Sequence, residues 1–151
     1  MPENYRLENS LGYIMGRAAR GLGARLNRNF NEAGYDVTCE QWGVLINLGK
    51  KNGQSQHDLA ATACKDKTSM TRLIDGLEKR KLVVRTPDKE DRRQKLIFLS
   101  IKGKELQNEL LHIVEKTLAE AQQNIPHGEM DICKKVLCRV YDNLADHKNE
   151  K

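Results

Sequence analysis

Apolar residues recur at steps of three and four from Leu7 through Leu11, Ile14, Ala18, Leu22, Leu26 and Phe30. That stripe predicts one long amphipathic helix, ended by Gly34. Gly12, Gly16, Gly21 and Gly23 lie inside it, each costing roughly 1 kcal/mol relative to alanine, so packing must hold the helix together, for instance against a partner subunit. Thr38 predicts an N-cap. Gln41, three residues on, completes a capping box for a shorter helix through Trp42, Val44, Leu45 and Leu48. Lys51-Asn52-Gly53 predicts its exit, and Ser55 caps a third helix carrying Leu59, Ala60 and Ala63.

A tight turn is expected at Cys64 to Asp66, followed by a helix from Thr68 to Arg80. Met70, Leu73, Ile74 and Leu77 share one face of it, while Lys67, Ser69, Thr71, Arg72 and Asp75 turn elsewhere. The β-prone runs Leu82–Arg85 and Lys95–Leu99 flank a polar, proline-containing turn from Thr86 to Asp91 and predict a hairpin. Ser100 caps a further helix through Leu106, Leu110, Ile113, Val114 and Leu118, which Pro126 and Gly128 interrupt. A last helix is expected from about Met130 through Val136, Leu137, Val140, Tyr141 and Leu144.

The predicted fold class is therefore mainly α with a small β-hairpin wing (α+β). Residues 35–100 form a winged helix-turn-helix lobe, and 5–34 with 101–147 form a helical lobe. There is no internal repeat or low-complexity linker, so 1–151 is expected to be a single domain with continuous helices.

Composition adds the class of partner. Hydrophobic residues make up 38% and charged residues 31%, which suits a helix-rich, strongly charged protein better than a sandwich or barrel. No apolar run approaches the roughly 18 residues of a membrane helix, and MPENYRLENS lacks the layout of a signal peptide. A cytoplasmic location is expected, nucleoid-associated when on DNA. Cys39, Cys64, Cys133 and Cys138 form no CxxC pair and no zinc spacing, which predicts reduced thiols, no metal and no cofactor.

The net charge of +5 is uneven: residues 65–104 hold 13 Lys or Arg against 6 Asp or Glu, and the remainder is slightly acidic. A local cationic excess concentrates a polyanion and releases its counterions on contact, which makes duplex DNA the expected partner. The element order agrees. A helix about 12 Å across fits the major groove, the preceding helix braces it, and a hairpin tip reaches the neighbouring minor groove. Lys67, Thr68, Ser69, Thr71 and Arg72 are the candidate groove-facing set, with Arg72 suited to bidentate guanine recognition. Arg80 and Lys81 are candidate phosphate contacts.

These residues resemble the MarR family of winged-helix regulators. The resemblance is carried by Leu59-Ala60, by the run from Lys67-Thr68-Ser69-Met70-Thr71-Arg72 to Arg80, by Leu82–Arg85, by the wing sequence Asp91-Arg92-Arg93-Gln94-Lys95, and by the junction Leu99-Ser100-Ile101-Lys102-Gly103. It implies that Arg93 enters the minor groove, where the potential is most negative, with Arg92 and Lys95 beside it in the wing. It also implies that Asp91 holds the wing's shape through an ionic contact. Two positions depart from the family pattern. Lys81 stands where glycine is common, and Lys65 stands where an apolar turn residue is usual, which makes Lys65 another candidate phosphate contact. The resemblance further implies a homodimer held by the first and last two helices, and repression relieved by a small effector of unknown identity that enters between the dimer and DNA-binding lobes.

Other classes have less to stand on. His57, His112, His127 and His147 are scattered, and neither HExxH nor a phosphate-binding glycine loop is present, so no enzyme is predicted. A helical adaptor without DNA binding would have no need of a cationic wing. A thiol-based redox regulator would act through Cys39 or Cys64, the latter between basic residues at the turn into the recognition helix. Cys133 and Cys138, five apart on one helix, point in divergent directions and are not expected to pair.

Overall fold

The computed structural model describes residues 4–63 and 65–145. The chain divides into two compact units, Met1–Thr117 and Leu118–Lys151. In the first, a short 3₁₀ turn at Leu7–Asn9 precedes α1 (Leu11–Glu32). The apolar stripe thus continues backward past the helix itself, because Ser10 is extended (φ −73°, ψ 132°) and breaks it. Gly34, at φ +89°, turns the chain after α1, a conformation open to glycine without steric cost.

Thr38 caps α2 (Cys39–Lys50) through the expected reciprocal box: its side chain accepts from the Gln41 N–H at 3.1 Å, and the Gln41 side-chain carbonyl oxygen accepts from the Thr38 N–H at 3.1 Å. Gly53, at φ +80°, makes the exit. A Cβ there would lie 2.7 Å from the Phe98 ring, so both backbone and space require glycine. Next comes a strand absent from the sequence-based expectation, β1 (Gln54–Ser55). Ser55 then caps α3 (Gln56–Thr62), its hydroxyl accepting from the Asp58 N–H at 3.1 Å.

The candidate recognition helix α4 spans Lys67–Lys79. Its amphipathic face buries Met70, Ile74 and Leu77 completely. At its end Lys81 takes φ +62°, which rationalises the glycine common at this position in the family: a residue with a Cβ enters the left-handed region only at a cost. Strands β2 (Val83–Pro87) and β3 (Lys95–Leu99) form the wing. Thr86 and Pro87, expected in the turn, pair with Leu96 and Lys95. Proline is accommodated because β2 is an edge strand: the sheet is antiparallel in the order β1-β3-β2. The wing is therefore the outer part of a three-stranded sheet, with Gln54 and Ser55 opposite Ile97 and Leu96.

Ser100 caps α5 (Ile101–Ala121), accepting from the Gly103 N–H at 2.9 Å while its hydroxyl donates to the Lys81 carbonyl at 2.6 Å. A Cβ on Gly103 would lie 2.1 Å from the Leu82 carbonyl oxygen, so only glycine lets α5 start this close to the wing. One apolar core joins these elements. It contains Leu26 and Phe30 of α1, Trp42, Val44, Leu45 and Leu48 of α2, the buried face of α4, Val83, Ile97 and Leu110. The C-terminal half of α1 thus shares its interior with the helix-turn-helix.

In the second unit α6 spans His127–Leu144, starting three residues before the expected position. Pro126 is its N-cap residue, so proline introduces the helix and Gly128 falls inside it. Asn124, at φ +61°, makes the preceding turn. Cys133 and Cys138 are free and exposed.

Candidate nucleic-acid interface

Asp66 starts the recognition helix. One carboxylate oxygen accepts from the Ser69 N–H at 2.7 Å and the other from the Ser69 hydroxyl at 3.0 Å. These bonds, the backbone one foremost, hold the Asp66 carboxyl below its ordinary value. Its position was legible as Asp-x-x-Ser, although the stretch Cys64–Asp66 reads as turn; Cys64 itself lies outside the described residues.

The five candidate groove-facing residues divide into two groups. Lys67, Thr68 and Arg72 are exposed, and no hydrogen bond or ion pair holds the Arg72 side chain among the described residues. Ser69 and Thr71 are half-buried. The Ser69 hydroxyl is bound to Asp66, and the Thr71 hydroxyl donates to the Lys67 carbonyl at 2.8 Å and accepts from the Gln56 side-chain amide of α3. Sequence reasoning missed Gln56, whose partner sits on another helix.

In the wing, Asp91 accepts from the Arg93 N–H at 3.1 Å, and its carbonyl accepts from the Gln94 N–H at 3.0 Å. Asp88 likewise accepts from the Glu90 N–H at 3.0 Å. Asp91 thus shapes the loop through backbone hydrogen bonds, whereas the resemblance implied an ionic contact. Arg92, Arg93 and Lys95 are exposed.

Arg85, also missed as a functional position, ties strand to helix. Its guanidinium pairs with Asp75 at 2.6 Å and Glu78 at 2.8 Å, and its side chain is only 16% exposed. Both carboxylates belong to α4, so β2 and the recognition helix are fixed to each other. Between α3, the start of α4 and the wing lies a cleft of about 400 Å³, lined by His57, Lys67, Arg85, Arg93 and Lys95 and, among the described residues, by no acidic one. Lys67 and Arg93, distant in sequence, open on the same space.

The candidate phosphate contacts lie apart from this cleft. Lys65 pairs with Glu40 of α2 at 3.2 Å. Arg80 follows the far end of α4, roughly 18 Å along the helix from Lys67, and donates to the Asp36 carbonyl. Lys81 is exposed. Cys39 is half-buried, and burial pushes its thiol up, reinforced by the Glu40 charge and opposed by Lys65. That direction reduces the thiolate, the form that reacts with oxidants. Among the described residues no three His, Cys, Asp or Glu gather as a metal site would need, and no helix is long and apolar enough to cross a membrane.

The MarR family model matches residues 37–95, from the residue before the α2 cap to the first residue of β3. Among solved structures, a probable transcriptional regulator from Pseudomonas aeruginosa is 25% identical with a TM-score of 0.79, over 89% of this chain and 99% of that one. A MarR-family regulator from Rhodococcus sp. RHA1 is 25% identical with a TM-score of 0.82, over 91% and 96%. Bordetella bronchiseptica BpsR, whose DNA binding is regulated by 6-hydroxynicotinic acid, shares the fold at 23% identity and a TM-score of 0.84, over 94% and 99%. Residues 37–95 are thus similar to the MarR family, and the fold over most of the chain is similar to that of MarR-family winged-helix transcriptional regulators.

Proposed function

We propose that this protein is a sequence-specific double-stranded-DNA-binding regulator that acts as a homodimer on a pseudo-palindromic operator, as a repressor relieved by a small-molecule effector. The observation that carries the reading is the shared cleft: Lys67 of the recognition helix and Arg93 and Lys95 of the wing border one acid-free space. Two cationic elements facing one way suit a duplex, with α4 in the major groove and Arg93 in the adjacent minor groove. In this reading 35–100 is the DNA-binding lobe, and 5–34 with 101–147 serve dimerisation. Lys67, Thr68, Ser69, Thr71 and Arg72 face the major groove. Asp91, Arg92, Arg93 and Lys95 form the wing contact, and Lys81 is exposed for phosphate contact, with Lys65 and Arg80 as further phosphate contacts that would first leave Glu40 and the Asp36 carbonyl.

Apolar side chains left in water support the dimer. Leu11, Ile14, Met15 and Leu22 are exposed on α1, and Ile132, Val136, Leu137, Tyr141 and Leu144 on α6. Large apolar residues exposed repeatedly along two helices suit an interface. The two recognition helices of a dimer then meet half-sites roughly 10 bp apart. An effector acts by binding more tightly to the arrangement in which that spacing is wrong; among the similar structures, BpsR has its DNA binding regulated by 6-hydroxynicotinic acid.

The test selects a bound duplex from genomic fragments and follows its anisotropy titration over a salt series, beside sedimentation of the free protein. The expected results are tight binding to a two-fold site, an affinity that falls steeply with salt, and a dimer at micromolar concentration. Equal binding to random duplex would refute the sequence-specific reading, and sedimentation as a monomer would refute the dimer.

A further inference from the structure

Thr71 sits on the recognition helix with its hydroxyl already engaged. The hydroxyl has one hydrogen, and that hydrogen goes to the Lys67 carbonyl at 2.8 Å. No donor is left for guanine N7 or O6, adenine N7 or thymine O4. The same oxygen accepts from the Gln56 amide. Two partners on one oxygen fix the χ1 angle, so the γ-methyl is also held in one place. Gln56 is the first residue of α3, so the bracing helix sets a rotamer on the reading helix. Lys67 and Arg72 beside it remain exposed, with donors to spare for hydrogen-bonded readout.

We propose, resting on the DNA-binding reading above, that Thr71 reads the operator through its methyl, by apolar contact with the 5-methyl of a thymine, and that Gln56 is the positioning residue that holds that methyl in place. Threonine can serve a base by hydroxyl or by methyl. Here the internal bonds choose between them.

Replacing a thymine by deoxyuridine removes the 5-methyl and nothing else, so the test is an anisotropy titration of the full chain on selected operators, each with one such replacement. One thymine per half-site is expected to lose about fourfold in affinity, the factor for one methyl-sized group withdrawn from contact. Thr71→Val keeps a methyl at that place, now held by the single χ1 well that valine prefers in a helix, and should keep that loss. Thr71→Ser keeps the hydroxyl alone and should bind thymine and deoxyuridine alike. Gln56→Met retains length without the amide and should narrow the difference at that thymine only.

No sensitive thymine, a Ser variant that still discriminates, or a Val variant that does not would overturn the methyl readout. A Gln56→Met protein with the wild-type ratio would overturn the positioning role. Thermal melts of the two Thr71 variants and of Gln56→Met confirm that folded protein is compared. Failure of the DNA-binding reading is separate and visible first, as wild-type protein that prefers no duplex.

Discussion

In the first half of α4 polar side chains are tied back into the protein, Ser69 to Asp66 and Thr71 to Gln56, above a face that buries Met70 and Ile74 completely. In the loop between β2 and β3 Asp88 and Asp91 tie backbone N–H groups, and Arg92 and Arg93 stand in solvent. The difference matches what each part would meet. Hydroxyls tied in this way keep one rotamer and leave hydrogen-bonded contact with base edges to the exposed Lys67 and Arg72. A minor groove offers a diffuse negative potential, which a long cation finds without a fixed rotamer. A rigid loop carrying free cations is enough there.

The comparison can be broken in several places. The largest effect is expected from Met70→Ala, which empties a fully buried site under the recognition helix and should cost about 3 kcal/mol in urea denaturation. A cost near zero would show that α4 is not held by its buried face. Next, Arg72→Ala should lose about 2 kcal/mol of discrimination between selected and altered operators, the scale of one bidentate base contact. Arg93→Ala should instead weaken all duplexes similarly and flatten the salt dependence by about one charge. Exchanged phenotypes would reverse the roles assigned to helix and wing.

How far these parts were legible in the sequence follows the range of the interactions. The Thr38 capping box and the Ser55 and Ser100 caps lie within three residues of their partners, and local spacing reveals them. The strand Gln54–Ser55 is too short to show any period, and its partners Ile97 and Leu96 are more than 40 residues away. Arg85 looked like one more strand residue because Asp75 and Glu78 become its partners only when β2 folds against α4. Pro126 and Gly128 looked like a break because both disfavour helix interiors, yet proline also suits a helix start. The charged candidates for a DNA face came from pattern and resemblance, whereas which hydroxyls were already spent needed the third dimension.

Smaller effects sharpen the contrast. Asp91→Ala removes one exposed hydrogen bond to the Arg93 backbone. It should cost about 1 kcal/mol of DNA affinity with little change in folding stability, checked by anisotropy beside a thermal melt. Equal losses in both would make Asp91 part of the fold and not of the wing's shape alone. The smallest effect concerns acid. Asp66 has a folded-state value below its ordinary one, so its contribution is present above the unfolded value and is lost as pH falls through the folded one. Asp66→Asn should therefore melt with a shallower dependence on pH across the acid limb than the wild type. Parallel curves would remove the helix cap from the account.

The two-residue pairing of β1 with β3 also bears on the order in which the protein folds. β3 lies between a neighbour that follows α4 and one that precedes α3, so closing the sheet joins segments from both sides of the helix pair. The hairpin can begin locally, but its third strand arrives through a loop of more than 40 residues, an entropic delay that local structure does not incur. A wing excised as a peptide, or grafted onto another helix pair, would lack β1 and the core under Ile97, and two strands alone are marginal in water. The wing is thus inherited with its helices and is a poor unit of exchange between proteins.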